Sequence, residues 1–412
     1  MITLEFKLKG KETQYRIVDK MIRTFQFVRN KCLRFWMDGQ RVKLSEVNAE
    51  ATKVRHNPEF PWASLLESSS AQAASERAMS AIRRFYDNCK ENISGKKGYP
   101  KFQKRNRSVE YKVAGWKLSS DRKRITFTDK FKAGMFKLVG SYDLSFYHLK
   151  AIKRVRIIRR ADGYYCQFCV AVERNINLPP TGRAVGIDVG LANFYTTSDG
   201  ETVDNPRHLR KAEKGLKRSQ RRVSRKFIKP KKKGEKLKQS NNYKKACQRL
   251  GGRHLTVQRR RRDFVVKTAK ALVESSDFIA YEKLSVRNLV KNRKLSKSIS
   301  DASWSQFLGW VERYGMLYKR PVVAVPAQYT SQDCSGCGTR VKKALSIRTH
   351  VCPKCYLMID RDENAAINIL VRGLNIAGTV LNLSTAGHAG INAWGENNLC
   401  LSLETNLNKL TH

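Results

Sequence analysis

The chain has 412 residues, of which 82 are Lys or Arg and 35 are Asp or Glu, a formal net charge of +47. That length holds roughly two to four domains. So large an excess repels itself in a compact state and exceeds what an enzyme of neutral metabolites needs, so a polyanion is the expected partner, nucleic acid first. With 41% hydrophobic residues the chain is no disordered basic tail, and it should fold and present its charge on shaped surfaces.

No window approaches the ~18 consecutive apolar residues of a membrane span, and the start MITLEFKLKGKETQY lacks the apolar core of a signal peptide, so no membrane partner is expected. Ten cysteines are present. Four of them form two close pairs in one short segment, the pattern of a metal site in a reducing compartment such as the prokaryotic cytoplasm.

In chain order, Ile17, Met21, Phe25, Val28, Cys32 and Trp36 recur every three or four residues and predict a helix from Tyr15 to Met37. A second helix is expected from Ala71 to Cys89, with Ala74, Ala78, Ala81, Ile82 and Phe85 on one face and Arg77 on another. The basic loop GKKGYPKFQKRNRSVEYK follows. Its Lys96, Lys97, Tyr99, Lys101, Phe102, Lys104 and Arg105 are candidates for stacking on bases and meeting phosphates, together with Arg77. From Trp116 to Glu173 two-residue alternation predicts a β module, with strands at 124–128, 155–158 and 164–172 and a turn at Ala161-Asp162-Gly163. Cys166 and Cys169 sit inside such a strand with no second pair nearby, and read as packing residues.

Pro179-Pro180-Thr181-Gly182 marks a linker to an α/β unit. Between Arg207 and Arg262 lie 24 Lys and Arg against two acids, on what read as two long helices joined near Pro230–Asn242. Intrahelical pairing cannot neutralise that imbalance, which points to a phosphate-tracking surface. Arg218, Arg221, Arg222, Arg225, Lys226, Arg259 and Arg260 are its candidate contacts.

Cys334-Ser-Gly-Cys337 and Cys352-Pro-Lys-Cys355 are separated by 14 residues, and two such pairs complete a tetrahedral four-cysteine shell for Zn2+, with Gly338 suited to a tight knuckle. Four thiolates leave no open coordination position, so that metal should be structural. The acids carry the chemistry instead. Ala184–Val189 is an apolar strand containing Asp188, Phe278–Leu284 is another containing Glu282, and the helix beginning near Asp360 opens with Asp360, Asp362 and Glu363. A carboxylate in an apolar strand is expensive unless a cation compensates it, and three such acids suit a site holding two Mg2+ for phosphodiester chemistry.

GIDVGLANFYTTSDGE, IAYEKLSVRNLVKNRKLSKSISDASWSQF, YTSQDCSGCG, VCPKC and DRDENAAINIL, in this order and spacing, closely resemble the transposon-encoded TnpB family, relatives of type V CRISPR nucleases. The resemblance runs from the N-terminal helix to about Arg372 and is most specific from Gly186 to Ile369. It implies an α/β multidomain protein with an RNase H-like RuvC domain at 181–330 and 357–375, including the basic helices at 207–274. A four-cysteine zinc ribbon that contacts target nucleic acid would be inserted at 331–356. A wedge, an oligonucleotide-binding-like β-barrel at 1–14 and 108–180, would carry a helical recognition module inserted at 15–107, and residues 376–412 would be a tail.

The implied activity is RNA-guided, Mg2+-dependent cleavage of double-stranded DNA beside a short flanking motif, by a monomer bound to a guide RNA from the transposon end. Asp188, Glu282 and Asp362 would be the catalytic and Mg2+-holding acids, with Asp360 the less favoured candidate. Cys334, Cys337, Cys352 and Cys355 would hold zinc. One departure is Val266, where relatives often carry histidine three residues after the counterpart of Asp263. A compact type V CRISPR effector and a non-cutting guided DNA-binding repressor stay open as alternatives.

Overall fold

A computed structural model of the chain describes residues 1–378 except 40–41, 92, 94, 175, 230–236 and 345–346. The expected tail therefore falls outside the described residues from 379 onward, as does the middle of the Pro230–Asn242 stretch. The chain forms two compact units that divide after Glu173.

The first unit runs β1 (Ile2–Lys9), α1 (Glu12–Gly39), α2 (Leu44–His56), a single-turn 3-10 segment (Pro61–Leu65), α3 (Ser68–Lys90), β2 (Ser108–Tyr111), β3 (Trp116–Leu118), β4 (Arg124–Phe127), β5 (Met135–Val139), β6 (Ile152–Arg160) and β7 (Gly163–Val170). The apolar stripe of α1 buries Met21, Phe25, Val28, Cys32 and Trp36. In α3 the buried face is mostly Ala and Ser, which lets helices approach closely. Helix α2 has no counterpart in the sequence reading, since it buries only Val47, Ala51 and Val54, too sparse a stripe to stand out. Its start is set locally, by Glu46 accepting from the Lys43 N–H.

The strands pair antiparallel in the order β2-β6-β7-β1-β5-β4-β3. The sheet curls, because Trp116 of edge strand β3 reaches Phe168 of β7, four places away, with ring centroids 6.4 Å apart. Helices and sheet share one core in which Phe6 and Phe168 from strands join Met21 and Phe25 from α1.

The second unit comprises β8 (Ala184–Val189), β9 (Asn193–Thr197), β10 (Thr202–Asp204), α4 (His208–Lys226), α5 (Asn241–Glu274), β11 (Phe278–Glu282), α6 (Val286–Leu289), α7 (Ser296–Ala302), α8 (Trp304–Tyr318), β12 (Val322–Val325), β13 (Thr349–Val351), β14 (Met358–Asp360) and α9 (Arg361–Ile376). The central sheet has the order β10-β9-β8-β11-β12, with β8, β11 and β12 parallel and β9 and β10 antiparallel. The Pro179–Gly182 segment is anchored to this unit rather than slack. Asp277 accepts the Thr181 and Gly182 N–H groups at 2.8 and 2.7 Å and pairs with Arg320, which donates to the Pro179 carbonyl.

Strand alternation decides which side chains meet. Val185, Ile187, Ile279 and Tyr281 point to the face covered by α5 and α8, so Gly186, Asp188, Ala280 and Glu282 point to the face covered by α9. Helix α9 lies directly on that face. A Cβ at Gly186 would fall 2.1 Å from the Ala366 carbonyl oxygen, and one at Gly373 would fall 2.4 Å from the Ala280 Cβ. Glycine at these two positions is what lets the helix approach.

Candidate active site and zinc knuckle

Parallel register sets Ile187 opposite Tyr281, so the next residue on each strand is an acid, Asp188 on β8 and Glu282 on β11. The N-terminus of α9 completes the group. Burial first, and then the neighbouring charges of Glu282 and Asp362, hold the Asp188 carboxyl well above the usual carboxylate range. Glu282 is also pushed up by burial, and the Thr330 hydroxyl and Arg372 pull it partly back.

The acids at the helix start differ in what they do. Asp360 is the N-cap, accepting the Asp362 and Glu363 N–H groups at 2.8 and 3.2 Å. The Asp362 carboxylate is held by guanidiniums instead, Arg348 at 3.0 Å and Arg361 at 3.0 Å. Three carboxylates, Asp188 among them half-buried in an apolar strand, make a donor set that fits hard divalent cations such as Mg2+, whose charge would offset the mutual repulsion. Among the described residues it is the four cysteines, and not these acids, that are gathered closely enough to hold a metal ion.

The four cysteine sulfurs lie within 4.8 Å of one another, which fits a tetrahedral zinc site. Both pairs build the same knuckle. The Gly338 N–H donates to the Cys334 carbonyl at 2.8 Å and the Cys334 N–H to the Thr339 carbonyl, while the Tyr356 N–H donates to the Cys352 carbonyl at 3.0 Å and the Cys352 N–H to the Leu357 carbonyl. Each turn needs a left-handed residue after its second cysteine, Gly338 at φ 73° and Tyr356 at φ 58°. The Thr339 hydroxyl draws the Cys337 thiol down to about 6, toward the thiolate a metal takes.

The basic candidates fall into two groups. Arg218, Arg221, Arg222, Arg225 and Lys226 on α4 and Arg259 and Arg260 on α5 are all exposed, and Gln220, Arg221, Ser224 and Arg225 line a shallow, open depression. In the first unit Lys96, Tyr99, Lys101, Phe102, Lys104 and Arg105 are exposed, while the Lys97 amine bonds the Ile93 carbonyl at 2.6 Å. Tyr99 rests against Trp36 and Phe85, and the Arg34 guanidinium lies over Phe102. Arg77 is committed elsewhere. It pairs with buried Glu110 at 2.6 Å, bonds Ser108 and stacks over Phe25.

Sequence reasoning did not single out Thr330, Arg348, Arg361 or Arg372, whose side chains touch the acids or the segment beside them. Asn364 and Asn368, inside the quoted DRDENAAINIL, clasp the segment that leads into the zinc knuckle. Their four-residue spacing after two acids was the available signal.

Carboxylates on two neighbouring parallel strands and at a helix start, beside a cluster of four cysteines that could hold a metal ion, define an acid-bearing α/β protein. Residues 167–293 match the OrfB_IS605 family, described as "Probable transposase", and residues 304–369 match the "Cas12f1-like, TNB domain" family. A protein of Streptomyces pristinaespiralis named "Putative RNA-guided DNA endonuclease" is 31% identical over 372 residues, covering 86% of each chain. InsQ of Escherichia coli K12, also named "Putative RNA-guided DNA endonuclease", is 28% identical over 67% of this chain and 68% of its own. A solved Cas12f1-sgRNA-target DNA complex shares the fold, with TM-score 0.52 and 14% identity over 87% of this chain and 83% of that one. On this similarity the chain belongs to the TnpB family.

Proposed function

We propose that the protein is an RNA-guided DNA endonuclease of TnpB type, with the second unit as a RuvC nuclease domain of RNase H-like fold and the sheet of the first unit as a wedge. The observation that carries the reading is the convergence on Asp188 of acids from a neighbouring parallel strand and from the start of α9. Two bound Mg2+ ions would activate water and stabilise the leaving oxygen of a phosphodiester.

The residues of the chain do the rest. Asp188, Glu282 and Asp362 hold the metals, and the order of β8, β11 and α9 keeps them on one face. Arg348 and Arg361 neutralise Asp362 when no cation is bound. The exposed cations of α4 and α5 track the guide RNA and its hybrid with DNA, whose sequence is read by base pairing. Basic and aromatic side chains of the first unit meet DNA beside the target. In this reading the zinc knuckle is structural, and the protein works as a monomer in the cytoplasm.

The test is Asp188→Ala in the full chain loaded with guide RNA. Cleavage of a matched plasmid should fall by at least about a thousandfold, while guide affinity stays within about twofold. Cutting at the wild-type rate would remove Asp188 from the site. Bound but uncut DNA with the wild-type protein in Mg2+ would favour the repressor alternative.

A further inference from the structure

We infer that Thr330 is a positioning residue for Glu282, and that the zinc knuckle and α9 act on the acid site through it. This rests on the proposed role of Asp188, Glu282 and Asp362. Thr330 lies between β12 and the first zinc cysteine and is only 4% exposed. Its hydroxyl donates to Glu282 Oε1 at 2.7 Å. A glutamate at a strand end has three side-chain torsions to settle before it can serve as a ligand. A donor on one oxygen fixes the carboxylate and leaves the other oxygen for a metal.

The segment holding Thr330 is fastened from two sides. On α9, Asn364, Asn368 and Arg372 follow one another at four-residue spacing on a single stripe. Asn368 donates to the Thr330 carbonyl at 2.9 Å and the Asp333 carbonyl at 2.7 Å. Asn364, fully buried, donates to the same Asp333 carbonyl and accepts the Ser335 N–H. Arg372 donates to the Gln328 carbonyl at 2.6 Å and pairs with the Asp333 carboxylate at 2.7 Å. From the zinc-knuckle side, Arg340 pairs with the other Asp333 oxygen at 3.2 Å and lies 3.6 Å over the Tyr329 ring.

The turn so clamped is strained. Tyr329 sits at φ 64°, a left-handed conformation that a side chain as large as tyrosine disfavours. Its carbonyl is bonded by the Gln332 and Asp333 N–H groups, which lock the turn. A relaxed backbone at Tyr329 would re-aim the next residue, so the clamps hold the Thr330 hydroxyl on Glu282. Four residues further on, Cys334 begins the knuckle. A closed four-cysteine site with no open position therefore has a route to the chemistry through geometry alone.

The experiment uses the full chain loaded with guide RNA, comparing Thr330→Val, which keeps the shape and loses the hydroxyl, with Thr330→Ser. Mn2+ binding read by electron paramagnetic resonance reports the metal site without cleavage, alongside the Mg2+ concentration for half-maximal cutting. Thr330→Val should weaken Mn2+ binding about tenfold or more and raise the Mg2+ requirement in parallel, with zinc content and guide binding unchanged. Thr330→Ser should restore both to within about threefold. Asn368→Ala should shift Mn2+ binding the same way and add nothing to Thr330→Val. Wild-type Mn2+ binding by Thr330→Val, or full additivity of the two changes, would overturn the inference. Glu282→Gln separates the two claims, because unimpaired cutting by that variant would sink the acid-site reading itself.

Discussion

Asp188 shows what a carboxylate costs inside a sheet. Its neighbours on β8 are apolar and the charges of Glu282, Asp362 and Asp360 disfavour its own, so without a cation the charge is a liability, which the proposed metal-holding role would explain. Asp188→Asn should therefore raise the melting temperature in Mg2+-free buffer by a few degrees while abolishing cutting; a lower melting temperature would mean that the carboxylate is structural. A second buried acid gives a pH signature. Burial pushes Asp129 up to about 6 although the Tyr111 hydroxyl donates to it at 2.5 Å. The folded state then holds this proton more tightly than the unfolded chain, so stability falls as pH rises from about 4 to about 6. Asp129→Asn should flatten urea-unfolding free energies across that window, by up to about 3 kcal/mol; an unchanged slope would assign the effect elsewhere.

Among single residues, composition and spacing pointed to strand acids and paired cysteines because each breaks a local pattern. Asp360 and Asp362 could be ranked only by resemblance. The structure adds a physical difference, since Asp360 is bonded to two backbone N–H groups and Asp362 to two guanidiniums. Thr330 lies inside the quoted YTSQDCSGCG, but nothing in one sequence ties its hydroxyl to Glu282, and Arg348 carries no signal at all, because a lone Arg in a loop looks like any other.

At the level of elements, period and composition reveal strong stripes and miss weak ones. The apolar repeat of α1 and the charge of α4 and α5 were plain, and α1 starts three residues earlier than the Tyr15 boundary, at Glu12. Helix α2 was hidden by its three small buried side chains. What no periodicity reveals is the close approach of α9 to β8. Gly186→Ala would drive a methyl into the Ala366 carbonyl at 2.1 Å and the Leu370 N–H at 2.7 Å, neither of which can swing away. Overpacking of that kind costs about 1–3 kcal/mol or more. Urea unfolding should show the loss, together with weaker Mn2+ binding as α9 and Asp362 move off; wild-type values for both would contradict the packing account. On α4, Arg221→Glu with Arg225→Glu should weaken guide RNA binding and lower the slope of log affinity against log salt by about 2. An unchanged slope would take these cations off the RNA path.

For the whole molecule, the net charge of +47 announced a polyanion partner but not which one, and the division into two units after Glu173 has no single marker in the sequence. The Pro179–Gly182 turn invites a boundary there, yet Asp277 and Arg320 anchor it to the second unit. Long-range ion pairs of this sort are invisible to local pattern. On the proposed function, guided recognition would likewise be a property of the complex, carried by an RNA that the protein sequence does not encode.

The most direct measurement is therefore to express the protein with its flanking genomic DNA, sequence the RNA that copurifies, and offer the complex plasmids that match or mismatch its variable end in Mg2+. A single defined RNA, with cleavage of the matched plasmid alone and none by Asp188→Ala, is the predicted result. Heterogeneous cellular RNA from an intact locus, or cutting indifferent to the match, would contradict the account.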